Sequence, residues 1–340
     1  MKRRNFLAAG AAAASYPLIA PGMGIGRLMA QETGRMMFLT PQGFSLAFST
    51  VMYGRTGGFF AAEGLDVHVE GGRGAAQSIQ LVAADQVQAG RTGGANYMVA
   101  RVENNAPVLA FATIAQVSPF FMISPSEDPI LEPEDYVGKV VGMASLGGSM
   151  EATLDLMLRR NNLNPADVRR ERVADTPAGF GLIEAGRLNG FFGNVSTTTR
   201  LLAQEDLSIS ASPVRDGIPG QVYVATEENL ENRRAEFVAF TRGCYNAIQD
   251  IASRGRDLAP VIESMRSEFD IPGSDNLEVA TEDLYANSQL WLTNGVENAL
   301  RCDPEQWAEA VNLLVEAGSL SGQPEIPLYT NDIWDEANAG

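Results

Sequence analysis

After the first thirty or so residues, the apolar positions of the chain switch repeatedly between a spacing of two and a spacing of three to four. That switching marks strands alternating with helices, as in a parallel or mixed sheet covered on both faces. Residues 36–39 read as a first buried strand, and Pro41-Gln42-Gly43 turns it into a helix carrying Phe44, Phe48 and Val51 on one side. Leu65, Val67 and Val69 alternate with Asp66, His68 and Glu70, so residues 65–70 read as a second strand. A helix through Ile79 and Val82 follows, and residues 107–114 form another apolar strand.

The pattern restarts after Gln116. Strands are expected at 120–123, 139–143, 168–173 and 190–192, with helices led by Met150, Leu154, Met157 and Leu158 and by residues 178–185. Residues 221–225 read as a strand returning to the first unit, and the remainder is mainly helical. At 303–306, Asp303 suits a helix cap, Pro304 the first helical position, and Gln306 a capping box. A faint internal echo links residues 81–90 to 182–191, each a helix end, a tight turn and a short strand.

The N-terminus differs from all of this. Lys2, Arg3 and Arg4 precede an alanine-rich apolar run over residues 6–20, too short for a membrane span. Arg3-Arg4-Asn5-Phe6-Leu7 resembles the twin-arginine export signal. Residues 1–30 are therefore expected to be a signal peptide, with the mature start between 20 and 32, because Leu28-Met29-Ala30 is a poor cleavage site. No cysteine lies nearby, so lipid anchoring is not expected, and the product should be a soluble periplasmic protein.

Charge narrows the partners. The net charge is −17, with 25 basic residues against 42 acidic, so nucleic acid and anionic membrane surfaces are disfavoured. Cys244 and Cys302 are the only cysteines. Export would permit a disulfide, but Phe237, Phe240, Cys244, Ile248 and Ile251 share helical spacing, which equally suits Cys244 as a core thiol. A single histidine excludes the common zinc sites.

Residues 58–67, Gly-Phe-Phe-Ala-Ala-Glu-Gly-Leu-Asp-Val, carry the most specific signal, continued by Gly71, Gly72 and Gly74. It recurs in Ala115-Gln116-Val117-Ser118-Pro119-Phe120, in residues 134–142 and in residues 182–190. These blocks resemble the importer binding proteins for aliphatic sulfonates, taurine, nitrate and thiamine-pyrimidine precursors, over most of residues 35–225. The sequence departs from that family at its Gly-x-x-Asp turns, where Asp85 replaces the first glycine and Gln88 and Asn189 replace the aspartates.

The resemblance implies an α/β fold of the type II periplasmic binding class, with two doubly wound lobes joined by two crossovers. Lobe one is expected at 35–117 plus 219–340 and lobe two at 118–218. It implies a monomer that captures a small molecule by hinge closure and delivers it to an ABC permease and its ATPase, after passage through the twin-arginine machinery. No cofactor is expected. Ligands in such sheets sit beyond the carboxyl ends of the strands, where helix N-termini offer free amides.

The strand-end loops then nominate Gln42, Gly43, Phe44, Gly72, Thr92, Gly93, Gln116, Ser118, Ser145, Gly148, Ser149, Asn194 and Tyr223 as ligand-binding residues. Ser145 to Ser149 is a glycine-rich turn feeding a helix, able to hold an anion or simply to cap that helix through Ser149. Glu151 in the first turn competes with a fully charged ligand there. Asn194 suits an amide-bearing ligand or a turn, and the aromatic residues suit a ring or the core.

The ligand reads as an organic molecule, a sulfonate or a heterocyclic or aromatic compound. Alternatives are a thiamine-pyrimidine precursor, a ligand sensor, and an enzyme like the one of this fold that builds the thiamine pyrimidine. That chemistry needs a Schiff-base lysine and a histidine donor, whereas beyond residue 30 the chain offers only Lys139 and His68, neither well placed.

Overall fold

A computed structural model describes residues 34–144, 146–215 and 217–339; the expected signal segment and Ser145 lie outside the described residues. Among the described residues, ten strands form two five-stranded sheets. The first four are β1 (Gly34–Thr40), β2 (Leu65–Gly71), β3 (Ala89–Gly93) and β4 (Leu109–Ala115). The next five are β5 (Phe120–Pro125), β6 (Val140–Met143), β7 (Arg169–Arg172), β8 (Gly190–Asn194) and β9 (Ile209–Pro213), and β10 is Gln221–Ala225. The first sheet has the order β2-β1-β3-β10-β4 and the second β7-β6-β8-β5-β9.

The two sheets follow one plan. Three strands run parallel in each, and the next, β10 or β5, is the strand that has just arrived from the other sheet and pairs antiparallel on both sides. The chain crosses between the sheets twice, after β4 and after β9. This is the doubly wound α/β architecture that the sequence pattern leads one to expect.

Alternation along the strands sorts side chains to the two faces of each sheet. Met36 and Phe38 of β1 join Phe111, Phe240 and Trp291 in one core, whereas Leu39 joins Tyr97, Val222 and Trp307 on the opposite face. The second sheet is covered likewise, by Met143, Leu154 and Phe192 on one side and Ile123, Phe180 and Phe191 on the other. Phe38, Phe60 and Phe240 stack within 5.4 Å of one another in turn. Truncating such a ring to alanine costs about 3–5 kcal/mol.

The internal echo is structural. Asp85 and Gly186 both take positive φ, 53° and 64°, at the turn between helix and strand. An aspartate tolerates this region better than most side chains, which explains how it can stand in for glycine. Three residues on, Gln88 Oε1 accepts the Met37 N–H at 2.9 Å and Asn189 Oδ1 accepts the Val140 N–H at 2.8 Å. The two amides thus do the same work in the two sheets, each accepting a backbone N–H from the neighbouring strand.

Several local expectations change. Phe44 precedes the helix; a 3-10 turn at Leu46–Phe48 leads into the helix Ser49–Thr56, and Phe44 instead packs on Phe269 with ring centroids 4.9 Å apart. β9, built of small half-exposed residues, gave no apolar run to read. Asp303 does cap its helix, accepting from Glu305 and Gln306 N–H at 2.9 and 3.3 Å. The Gln306 side chain, however, donates to the Gln116 carbonyl rather than closing a capping box. Ser149 does not cap either: Gly148 occupies the cap position and Ser149 is the first helical residue.

Cys244 and Cys302 are free and buried in different cores, so no disulfide links them. Among the described residues no helix is long and apolar enough to cross a membrane, and no three His, Cys, Asp or Glu side chains converge as a metal site.

Candidate ligand-binding site

Between the two sheets lies a cavity of about 190 Å³. Cavities of about 150 Å³ already accept a single aromatic ring, so this one suits a one-ring or short-chain compound. Gln42, Ala47, Phe48, Arg91, Gln221 and Asn287 line it from the first-sheet side. Ser149, Met150, Asp175 and Asn194 line it from the second.

Arg91 is the dominant feature of the first side. It sits inside β3, a strand of otherwise small residues, and is 3% exposed. Nε donates to Gln221 Oε1 at 3.2 Å, Nη1 donates to the Ala47 carbonyl at 2.6 Å, and the guanidinium lies 5.0 Å from the Phe48 ring centroid. Among the described residues it has no salt-bridge partner. Desolvation pushes its pKa down to about 10, so it remains charged at neutral pH. A buried cation held only by neutral groups is costly unless something anionic joins it.

Opposite stands Asp175, in the loop after β7. Its carboxylate accepts the Asn194 N–H at 3.2 and 3.3 Å and the Gln42 side chain, while its carbonyl accepts from Thr197 Oγ1 at 3.0 Å. Part of Asp175 faces open space, yet the surrounding walls remove enough water that desolvation raises its pKa. Asn194 closes β8 and caps the helix Val195–Leu202, its Oδ1 accepting from Thr197 N–H at 2.9 Å.

The sides also touch each other. Asn287 Nδ2 donates across to Ser196 Oγ at 3.1 Å and to its own helix neighbour Asp283 at 2.7 Å. Asp283 is buried, and desolvation pushes its pKa up to about 6. Arg200 Nη1 donates to the Pro272 carbonyl at 3.0 Å. A Cβ on Gly93 would collide with the Ser149 side chain, so a glycine is what permits the halves to approach there. These contacts hold the two sides of the cavity against each other.

Of the residues nominated from sequence, Gln42, Ser149 and Asn194 line this cavity. Gly93 lies behind Ser149, and Gly148 faces a separate groove along the helix Ser149–Arg160. Gly43 is exposed, Gly72 packs its backbone on the Thr40 carbonyl, and Thr92 is tied to the Ala75 carbonyl at 3.3 Å. Gln116 Nε2 donates to the Arg301 carbonyl at 3.2 Å, and Ser118 Oγ accepts the Phe120 N–H at 3.4 Å. Tyr223 is core, its hydroxyl 2.6 Å from Thr50 Oγ1 and its ring against Phe38. In the glycine-rich turn, the Gly147 N–H is already taken by the Glu151 carboxylate.

Arg91, Asp175, Phe48, Gln221 and Asn287 escaped the sequence reading. A signal existed for Arg91: one charge within Ala89-Gly90-Arg91-Thr92-Gly93, a strand too rich in small residues to stand out. Asp283 and Asn287 are polar positions on the same helical stripe as Ala280, Leu284 and Trp291, four residues apart.

Residues 46–255, more than half of the chain, match the family model described as NMT1/THI5 like. The chain belongs to that NMT1/THI5-like family. The matched segment includes Phe48, Arg91, Asp175, Asn194 and Gln221, whereas Asp283 and Asn287 lie beyond it. No curated protein matches the sequence. Among solved structures, the chain is similar to the alkanesulfonate-binding protein SsuA from Xanthomonas axonopodis, bound to MOPS, with 14% identity, TM-score 0.60, and coverage of 87% of this chain and 96% of that one. It is similar to the periplasmic nitrate-binding protein NrtA from Synechocystis, with 11% identity, TM-score 0.65, and coverage of 91% and 89%. The desulfurization enzyme DszB shares the fold at 11% identity and TM-score 0.54, covering 89% of this chain and 98% of that one. At these identities the similarity concerns the fold.

Proposed function

We propose that this protein is the extracytoplasmic substrate-binding component of an ABC importer, capturing a small organic molecule with an anionic group. The observation that carries this reading is Arg91, a buried cation with no carboxylate partner among the described residues, lining a cavity between two sheets. In the liganded state an anion completes its hydrogen bonds, Phe48 and Met150 pack on the apolar part, and Asn194 and Asn287 orient the rest. Residues 35–117 with 219–340 form one lobe and 118–218 the other, and the two open and close about the crossovers.

The protein acts as an exported monomer, carried by the twin-arginine route, and it hands the ligand to a permease. The family and the ligand-binding names of SsuA and NrtA support this reading. It functions by binding rather than catalysis. The cavity lining pairs no nucleophile with a base, His68 lies on the surface beside Glu70, and Lys139 pairs with Asp128. Thermal unfolding of the purified protein against sulfonates, nitrate, carboxylates and nitrogen heterocycles tests it. A ligand at about a hundred times its Kd adds roughly 2.7 kcal/mol and raises the midpoint by a few degrees. Shifts from uncharged compounds alone would contradict the anionic assignment.

A further inference from the structure

We propose that joining of the two lobes takes up a proton on Asp283, so that ligand capture tightens as the medium becomes more acidic. This deepens the proposed function and rests on its reading of two lobes that open and close around an anion. The observation is a seam of buried polar side chains between the lobes, beside the cavity. On one side, Asp283 and Asn287 stand one turn apart on the helix Leu277–Trp291, 3% and 2% exposed. On the other, Ser196 lies in the first turn of the helix Val195–Leu202 and is 1% exposed. Ser196 Oγ accepts from Asn287 Nδ2 at 3.1 Å and donates to the Asp283 carboxylate. Asp283 Oδ1 in turn accepts from the same Asn287 amide at 2.7 Å. Arg200 extends the seam by donating to the Pro272 carbonyl at 3.0 Å.

What covers Asp283 comes from across the seam. Ser196, Arg200 and Asp175, which act on its carboxyl, all belong to residues 118–218, the other lobe. Arg200 attracts the ionised form and Asp175 repels it. The 3-10 turn Leu46–Phe48 and β4, also packed on this helix, carry no ionisable side chain. The helices Arg234–Arg254 and Ala259–Arg266 pack on it too, but their charges are paired with others, as Asp250 is with Arg254, or exposed, as are Glu263 and Arg266. Glu278 and Glu282 of its own helix are exposed as well. Desolvation outweighs the other influences and pushes the Asp283 pKa up to about 6. When the lobes part, the cover leaves with residues 118–218, and the carboxyl returns to water and toward its ordinary value of 3.8. The joined form therefore binds this proton, drawn from the solvent, more tightly than the parted form, and protons favour joining. The two values imply roughly a tenfold gain in affinity from pH 7 to pH 5, and uptake of about half a proton per ligand at pH 6. Asp175 sets the competing explanation: it lines the cavity beside Arg73 and Arg91, and its own protonation would also favour an anion.

The test is calorimetric titration with ethanesulfonate, benzenesulfonate and nitrate, strong-acid anions whose own charge stays fixed, at pH 5, 6 and 7. Buffers of low and high ionisation enthalpy report the protons taken up. Wild type, Asp283→Asn and Asp175→Asn are compared, with circular dichroism confirming that each variant is folded. At least one anion should bind wild type about tenfold more tightly at pH 5 than at pH 7, with about half a proton taken up at pH 6. Asp283→Asn should flatten that profile and abolish the uptake, and Asp175→Asn should keep both. Binding to wild type without proton uptake would overturn the linkage and leave anion capture intact, and it needs no variant to be read. A profile that survives in Asp283→Asn, or that flattens only in Asp175→Asn, would overturn it equally. No binding of any of the three anions at any pH would overturn the anion-capture reading and this inference with it.

Discussion

The ends of β3 and β8 occupy the same place in two copies of one structural unit, and they have diverged where the cavity begins. The frame is equivalent: a helix, a turn at Asp85 or Gly186 with positive φ, then an amide, Gln88 or Asn189, that accepts a backbone N–H from the neighbouring strand. Three residues after that amide the halves part. The first carries Arg91, buried and facing the cavity; the second carries Phe192, buried in its own core. Two residues further, the first has Gly93, allowing close approach, and the second has Asn194, which caps a helix and lines the cavity. Positions that hold the fold keep one chemical task, whereas positions that face the crevice take different ones. The result is a cleft with a cationic wall and an acid–amide wall.

That asymmetry can be broken most severely at Arg91. Arg91→Met should weaken ligand binding by about 2–5 kcal/mol, roughly 30-fold to several thousand-fold, measured by calorimetric titration with the best compound of the thermal screen. Methionine replaces the volume but not the charge. Arg91→Lys keeps the charge without the planar fork and should fall between the two.

Behind the cavity, Asp283, the helix neighbour of Asn287, should reveal itself through pH. Burial raises the folded-state pKa of Asp283 to about 6, above the ordinary value of 3.8. The folded protein therefore binds this proton more tightly than the unfolded chain. The resulting stabilisation is complete below the unfolded pKa and is lost as pH rises through about 6. It amounts to at most about 3 kcal/mol, at 1.36 kcal/mol per pH unit. The melting temperature should accordingly fall between pH 4 and pH 7, and Asp283→Asn should flatten that slope. A slope unchanged in the variant would show that Asp283 is not the group responsible. Asp175, raised by the same cause, contributes in the same direction.

Closure is expected to be more forgiving. Gly93→Ala places a methyl group against Ser149 and should weaken binding about tenfold, with the radius of gyration of the liganded protein enlarged in small-angle scattering. Adding Ser149→Gly should restore both. Smallest is Ser196→Ala, which removes the hydroxyl that accepts from Asn287 across the halves. One such hydrogen bond is worth about 1 kcal/mol, and a several-fold loss of affinity in titration would register it.

Much of the fold was legible because burial imposes period. β10, with Val222 and Val224 on one face and Tyr223 on the other, was read with its observed ends, Gln221–Ala225. β9 was not, since Ile209, Ser210, Ala211 and Ser212 stay half-exposed at a sheet edge and carry no alternation to detect. The site was legible only where it coincides with helix starts: Ser149 and Asn194 could be found at strand-to-helix turns. Arg91 lies within a strand, Asp175 in a loop, and Asn287 on a helix more than 190 residues along the chain from Arg91, joined to them only by tertiary packing. Tyr223, in the middle of β10, and Thr92, near the end of β3, show the converse, nominated for the site yet turned into the core.

The most direct test of the central claim is thermal unfolding of wild type and Arg91→Met side by side, with the same anionic compounds at saturating concentration. The account predicts a midpoint rise of a few degrees for wild type with at least one compound and none for the folded variant. An equal rise in both proteins would contradict it, placing the ligand somewhere other than against Arg91.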